Sequence, residues 1–252
     1  MRSAPDGQVR FTFAARLGVC GDGGDMVAFG RTLHVGSSVE TYGSWRTDGR
    51  CQPGPVRVAL TVRKHEITAI RTRVGTAPRD TICGEAGCED AHSHQPRAVS
   101  GDEHVTDLGV VPAAGAARYL LALAGQLSGS LGGDALLPAV LADSVTITPA
   151  LLHLARDAGK SESLRKKALF WAGQLGAPTA TLSTIYDETP DPALKRQAIF
   201  VLSQRDDRDA TDKLMRIVRT DTDFRMRKRA LFWLAQKDDP RVTKMIADLI
   251  LR

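Results

Sequence analysis

Leu164-Arg165-Lys166-Lys167-Ala168-Leu169-Phe170-Trp171-Ala172-Gly173-Gln174 returns as Leu194-Lys195-Arg196-Gln197-Ala198-Ile199-Phe200-Val201-Leu202-Ser203-Gln204. It returns again as Met226-Arg227-Lys228-Arg229-Ala230-Leu231-Phe232-Trp233-Leu234-Ala235-Gln236. Ala168, Ala198 and Ala230 mark a period of 30 and then 32 residues. Self-similarity at such a period is the mark of stacked supersecondary units, none of which buries its apolar face alone.

Each copy reads as an amphipathic helix. Leu164, Ala168, Trp171 and Leu175 recur at helical spacing and form the main apolar stripe. The small alanine suits a position where two helix backbones come close. Motif helices are expected over 162–175, 191–204 and 223–236, each followed by a second helix, over 178–188, 208–219 and 240–251. Asp191-Pro192 and Asp239-Pro240 each supply a capping side chain and then a proline for the first turn. A second face is not part of the main stripe. It carries Lys167, Phe170 and Gln174, then Gln197, Phe200 and Gln204, then Arg229, Phe232 and Gln236. Stacking would align three phenylalanines, flanked by amides and cations. That suits either packing between repeats or a strip of anchors for a peptide or protein partner.

With its Leu/Met-basic-x-x-Ala-apolar-Phe pattern, the region from about 134 to 252 resembles HEAT repeats of the short class seen in phycobilisome-lyase-like proteins. The resemblance implies an α-solenoid that binds proteins along a concave surface. That family includes chromophore lyases, but no lyase-specific motif is present, so their chemistry does not carry over. The resemblance also implies a duty for Arg165, Lys195 and Arg227, whose position commonly holds a cation bonded to neighbouring inter-helix loops. Asp221 is placed to accept in the last repeat. Lys166, Lys167, Arg196, Lys228 and Arg229 thicken this basic row, and the alternative is an anion-binding or nucleic-acid-binding edge.

Upstream, Ala116, Tyr119, Leu120, Leu123 and Leu127 share one helical face, Leu136–Ala142 reads as a second helix, and Pro149 opens a third. Residues 1–108 are β-rich. Val9, Phe11, Phe13 and Ala15 alternate with polar residues, and Val56, Val58, Leu60 and Val62 do the same. A two-residue Lys64-His65 turn would set Val62 opposite Ile67, Leu60 opposite Ala69 and Arg63 opposite Glu66. The glycine-rich run Gly18–Gly30 reads as a loop. It lacks the Lys-Ser/Thr of a phosphate-binding loop and the closing glutamate of a calcium loop.

Cys20, Cys51, Cys83 and Cys88 are the four cysteines. An even number in a loop-rich segment suggests two disulfides, most simply Cys20–Cys51 and Cys83–Cys88. Cys83, Cys88, His92 and His94 also offer a ligand set suitable in type for zinc, at a spacing that matches no standard pattern. Disulfides would place the protein in the periplasm or otherwise outside the bacterial cytosol, and free thiols would allow a cytoplasmic one. The sequence begins without an apolar signal segment and holds no run long enough to span a membrane.

Residues 1–160 hold 16 Lys/Arg and 16 Asp/Glu, so the repeats carry the whole net charge of +5. No Gly-x-Ser-x-Gly, His-Glu-x-x-His, nucleotide loop or dinucleotide fingerprint is present. The expectation is an α+β chain, with a small antiparallel β domain over 1–108 followed by a HEAT-type α-solenoid over 109–252. It is expected to be a non-enzymatic scaffold without a cofactor, its partner a protein or peptide.

Overall fold

The computed structural model describes residues 6–30, 32–35, 38–41, 51–75 and 104–251, with 32–35, 38–41 and 250 described through their backbone. The chain divides into two compact units, Met1–Val145 and Thr146–Arg252.

The first unit is built on a mixed sheet of four strands among the described residues. They are β1 (Gly7–Phe13), β6 (Val56–Arg63), β7 (Glu66–Val74) and β8 (His104–Val110), in the order β7-β6-β1-β8. The alternation in the sequence decides which side is core. Phe11, Phe13, Val56, Val58, Leu60 and Val74 are all buried, while Arg10, Arg63 and Arg71 stay exposed. A smaller antiparallel meander runs β2 (Val19–Gly21), β3 (Met26–Phe29), β4 (Thr32–Val35) and β5 (Ser38–Thr41). The glycine-rich run is therefore a hairpin. Its turn is fixed by Asp22 Oδ1, which accepts the Gly24 and Met26 amides at 2.8 and 3.2 Å.

The Lys64-His65 turn forms, with φ of 50° and 70°. Both residues take the left-handed region that a primed turn demands. Val62 faces Ile67 and Arg63 faces Glu66 as expected, but Leu60 faces Ile70 rather than Ala69. A bulge shifts the register between Thr61 and Val62, and Thr68 Oγ1 donates to the Thr61 carbonyl beside it at 3.4 Å. Strand β8 is a second departure. It pairs parallel to β1, where the sequence shows little periodicity, because all seven of its residues are exposed and none alternates into a core.

The expected division after residue 108 is also corrected: the first unit runs on to Val145. It takes in α1 (Ala113–Gln126) and α2 (Leu131–Leu141). α2 packs on α1, β6 and β7, and Tyr119 meets Phe11 edge to face at 6.5 Å. Arg16 donates to the carbonyls of Val140 and Val145 at 3.2 and 2.7 Å, and Ala15 bridges to Ala142. Gly132 lets α2 approach α1, since a Cβ there would lie 2.7 Å from the Ala124 carbonyl oxygen. A sheet this small needs such an apolar cover.

Cys20 and Cys51 form a disulfide with Cα atoms 5.2 Å apart, and Gly21 and Gln52 exchange backbone hydrogen bonds beside it. Cys83, Cys88, His92 and His94 lie outside the described residues, so the second disulfide and the zinc alternative do too.

The second unit holds α3 (Thr148–Arg156), α4 (Glu162–Gln174), α5 (Thr179–Glu188), α6 (Pro192–Ser203), α7 (Arg208–Thr220), α8 (Phe224–Leu234) and α9 (Pro240–Ile250). Ser161, Asp191, Asp207, Asp223 and Asp239 each cap a helix with the side chain. The three motif helices are α4, α6 and α8. Among sequence neighbours they pack on the helix before, as α3/α4, α5/α6 and α7/α8, more than on the helix after, and α6 packs most extensively on α4. The reason lies in their wide apolar surface: Leu164, Leu194 and Met226 are all buried, as are Ala168, Ala198 and Ala230.

Candidate functional site

The motif helices carry a charge asymmetry. α4, α6 and α8 together hold nine Lys/Arg and a single carboxylate, Glu162. Their partners α3, α5 and α7 hold five Lys/Arg and four Asp/Glu. The inter-helix turns hold most of the remaining acids, and Arg165 reaches one of them, Asp191.

Part of the basic row is committed to structure. Arg165 donates to Asp191 of the next hairpin at 3.0 Å and to the Ala155 carbonyl at 3.2 Å. Arg227 donates to the Asp221 carbonyl at 2.8 Å, and Lys195 sits 5.1 Å from the centre of the Tyr186 ring. Tyr186 is a junction that the motif alone does not disclose. Its hydroxyl donates to Asp221 at 2.5 Å, and buried Lys213, paired with Asp187 at 2.5 Å, also approaches its ring. Burial first, then the bond to Asp221 and the carboxylates Asp221, Asp187 and Asp223, push the Tyr186 hydroxyl far above its ordinary pKa. It remains a neutral donor at any physiological pH. Arg205 donates back to the carbonyls of Gly173 and Ala177 at 3.4 and 2.9 Å. One period later, Lys237 donates back to the Arg205 carbonyl at 2.6 Å.

The second face is assembled only in part. Phe170 is 8% exposed and stacks on Phe200 at 6.3 Å. The third ring against Phe200 is Trp233, at 5.2 Å edge to face. Phe232 instead leans on Trp233 from the outside at 5.1 Å and is 57% exposed. Lys167, Gln174, Gln197, Phe200 and Gln204 are half-buried, and Gln204 spends its amide on Ser203 Oγ at 3.4 Å. Arg229 and Gln236 are exposed, with Arg229 over the Trp233 ring at 5.9 Å and Gln236 donating to the Phe232 carbonyl at 3.2 Å. The aligned row of three phenylalanines is thus corrected to Phe170, Phe200 and Trp233, which pack between helices.

The open surface lies on α8 and just beyond it. Phe224, Arg225, Lys228, Arg229, Phe232 and Gln236 are exposed and fall at i, i+1, i+4, i+5, i+8 and i+12, one continuous stripe. Phe224 is 66% exposed, with the Arg227 guanidinium 5.5 Å from its ring centre. Of these residues, Phe224 and Arg225 escape a reading based on the repeat, since neither belongs to the recurring pattern. The signal that points to them is the absence of any carboxylate in α8. Two aromatic anchors among three cations can take up an acidic, partly apolar segment.

Residues 148–235 and 179–252 match the family described as HEAT repeats. No curated protein and no solved structure matches the chain. HEAT repeats are generally protein-interaction scaffolds. The first match begins at the start of α3 and ends just past α8, in step with the helix pairing α3/α4, α5/α6 and α7/α8.

Proposed function

We propose that the protein is a non-enzymatic interaction scaffold whose repeats capture an acidic segment of a partner protein on the α8 stripe. The observation that carries this reading is the exposure of Phe224 and Phe232, at 66% and 57%, between Arg225, Lys228 and Arg229 on a helix without a carboxylate. Large apolar side chains exposed in a group, rimmed by one sign of charge, mark interaction surfaces. The Cys20–Cys51 disulfide supports a periplasmic or otherwise exported location.

Selection from a displayed library of random peptides tests the proposal. Enriched sequences are expected to be acidic with an aromatic or aliphatic anchor. Binding should drop at least tenfold in Phe232→Ser and in the double variant Lys228→Glu/Arg229→Glu. Enrichment of basic peptides, or equal binding by those variants, would sink it. The nine-to-one cation excess of the motif helices favours one second reading, a nucleic-acid ligand. A steep fall of duplex-DNA affinity with rising salt would support it, and no DNA binding at low salt would remove it.

A further inference from the structure

The side of the first unit's main sheet opposite its core carries an unusual arrangement. In the register of β6 and β7, Arg57 lies directly opposite Arg73. The adjoining row sets Arg71 opposite Ala59, which in turn faces Arg10. Successive same-side residues on paired strands put these four arginines on one surface, with Thr12 beside Arg57. Like charges directly across a strand pair repel and are ordinarily avoided.

Among the described residues the neutralising groups are few. Arg10 spends its guanidinium on Gln8 Oε1 at 3.0 and 2.8 Å, which satisfies donors but cancels no charge. Asp107 stands across from Arg10 on β8, and its carboxylate is engaged by the Gly109 amide at 2.8 Å. Arg57 donates one Nη2 bond to the Gly23 carbonyl at 3.1 Å, again a neutral acceptor. The Nε atoms of Arg57 and Arg73 are both buried, and among the described residues neither has a hydrogen-bond partner. A buried donor left unpaired costs free energy that folds do not ordinarily leave unspent. Burial first and then the Arg73 charge lower the pKa of Arg57, which is the electrostatic face of the same crowding.

We infer that Arg57 and Arg73 form a binding site for a tetrahedral oxyanion of the phosphate class, whose oxygens take the guanidinium forks and whose charge relieves the pair. Arginine suits this duty because its planar fork meets two oxygens at once, a geometry lysine cannot reproduce. Thr12, next to Arg57 in the sheet, offers a hydroxyl for a third oxygen. Arg71 and Arg10, one row along, supply long-range attraction. The proposal concerns the first unit alone and is independent of the reading of α8.

The test uses the full chain, with inorganic phosphate and phenyl phosphate as probes and the arginine Nε–H resonances as the readout. Both probes are expected to shift the Arg57 and Arg73 resonances in a saturable way, phenyl phosphate as well as or better than the free anion if the natural ligand is a monoester. Affinity should fall at least tenfold in Arg73→Gln and equally in Arg73→Lys, which keeps the stem and charge and so separates loss of the fork from loss of the fold. Arg196→Gln, on α6, should bind as the unaltered chain does. Saturation absent from the unaltered chain overturns the inference, and so does Arg73→Lys binding as tightly as arginine.

Discussion

At Gly173 a single missing Cβ decides how close two motif helices can lie. A side chain there would run into Val201 of α6. Gly173→Ala is therefore expected to cost about 1–3 kcal/mol despite the better helix propensity of alanine, because the stiff β-branched side chain of Val201 must give way. Chemical denaturation with an unchanged slope would show it, and a gain in stability would refute the packing argument. Phe200 belongs to the same scale. Flanked by Phe170 and Trp233, it should lose about 3 kcal/mol or more on substitution by alanine, whereas exposed Phe232 should lose less than 1 kcal/mol. The sequence places these phenylalanines at equivalent positions. Only the geometry separates one that packs from one that is offered to solvent, because a one-residue change of neighbour, Val201 to Trp233, alters which ring closes the stack.

Among elements, helix caps and turns were the most legible features. Asp191 and Asp239 cap α6 and α9, with the prolines at 192 and 240 in their first turns, as the sequence suggests; the caps Asp207 and Asp223 of α7 and α8, which no proline follows, emerge only from the structure. Asp207 illustrates the electrostatics. Burial pushes its carboxyl up, but bonds from Thr179, the Ala210 amide and Arg205 outweigh that and hold it below the ordinary carboxylate value. A depressed folded pKa means stability that is full above the unfolded value near 4 and is lost as the pH falls through the folded one. Asp207→Asn should therefore flatten the acid limb of the stability profile below about pH 4. An unchanged limb would show that the cap carries no linkage. The β elements were less legible. Lys64 and His65 adopt positive φ because the two-residue connection forces it, against their own preference. Lys64→Asn is expected to raise stability by about 0.5 kcal/mol, measured by thermal unfolding. The Thr68 bulge and parallel β8 left no trace in the pattern of apolar residues: one leaves the alternation off the core, and the other never enters it.

For the whole molecule, the two units rest on different physics. The first depends on cross-strand pairing and on a disulfide spanning 31 residues of sequence. Reduction is expected to cost about 3.7 kcal/mol, from the loop entropy returned to the unfolded chain. A first unit equally stable under strong reductant would show that its sheet and helices suffice. The second depends on neighbours stacking on neighbours, so its period was visible at once while its partner surface was not. Repetition identifies what each copy shares, and the α8 stripe is built from what only the last copy exposes.

The bonds that join successive turns have a direction. Arg205 reaches back to the carbonyls of Gly173 and Ala177, and Lys237 reaches back to the carbonyl of Arg205. Each of these turns is thus latched by the one that follows it in the chain, like slates laid from one eave. Lifting the last latch should free the turn beneath it and leave the earlier one shut. Lys237→Met is accordingly expected to speed amide exchange over residues 203–207 before residues 173–177, while Arg205→Met loosens the earlier turn. A ligand held on α8 would press on the same end, so its grip would be felt upstream as slower exchange, one turn at a time.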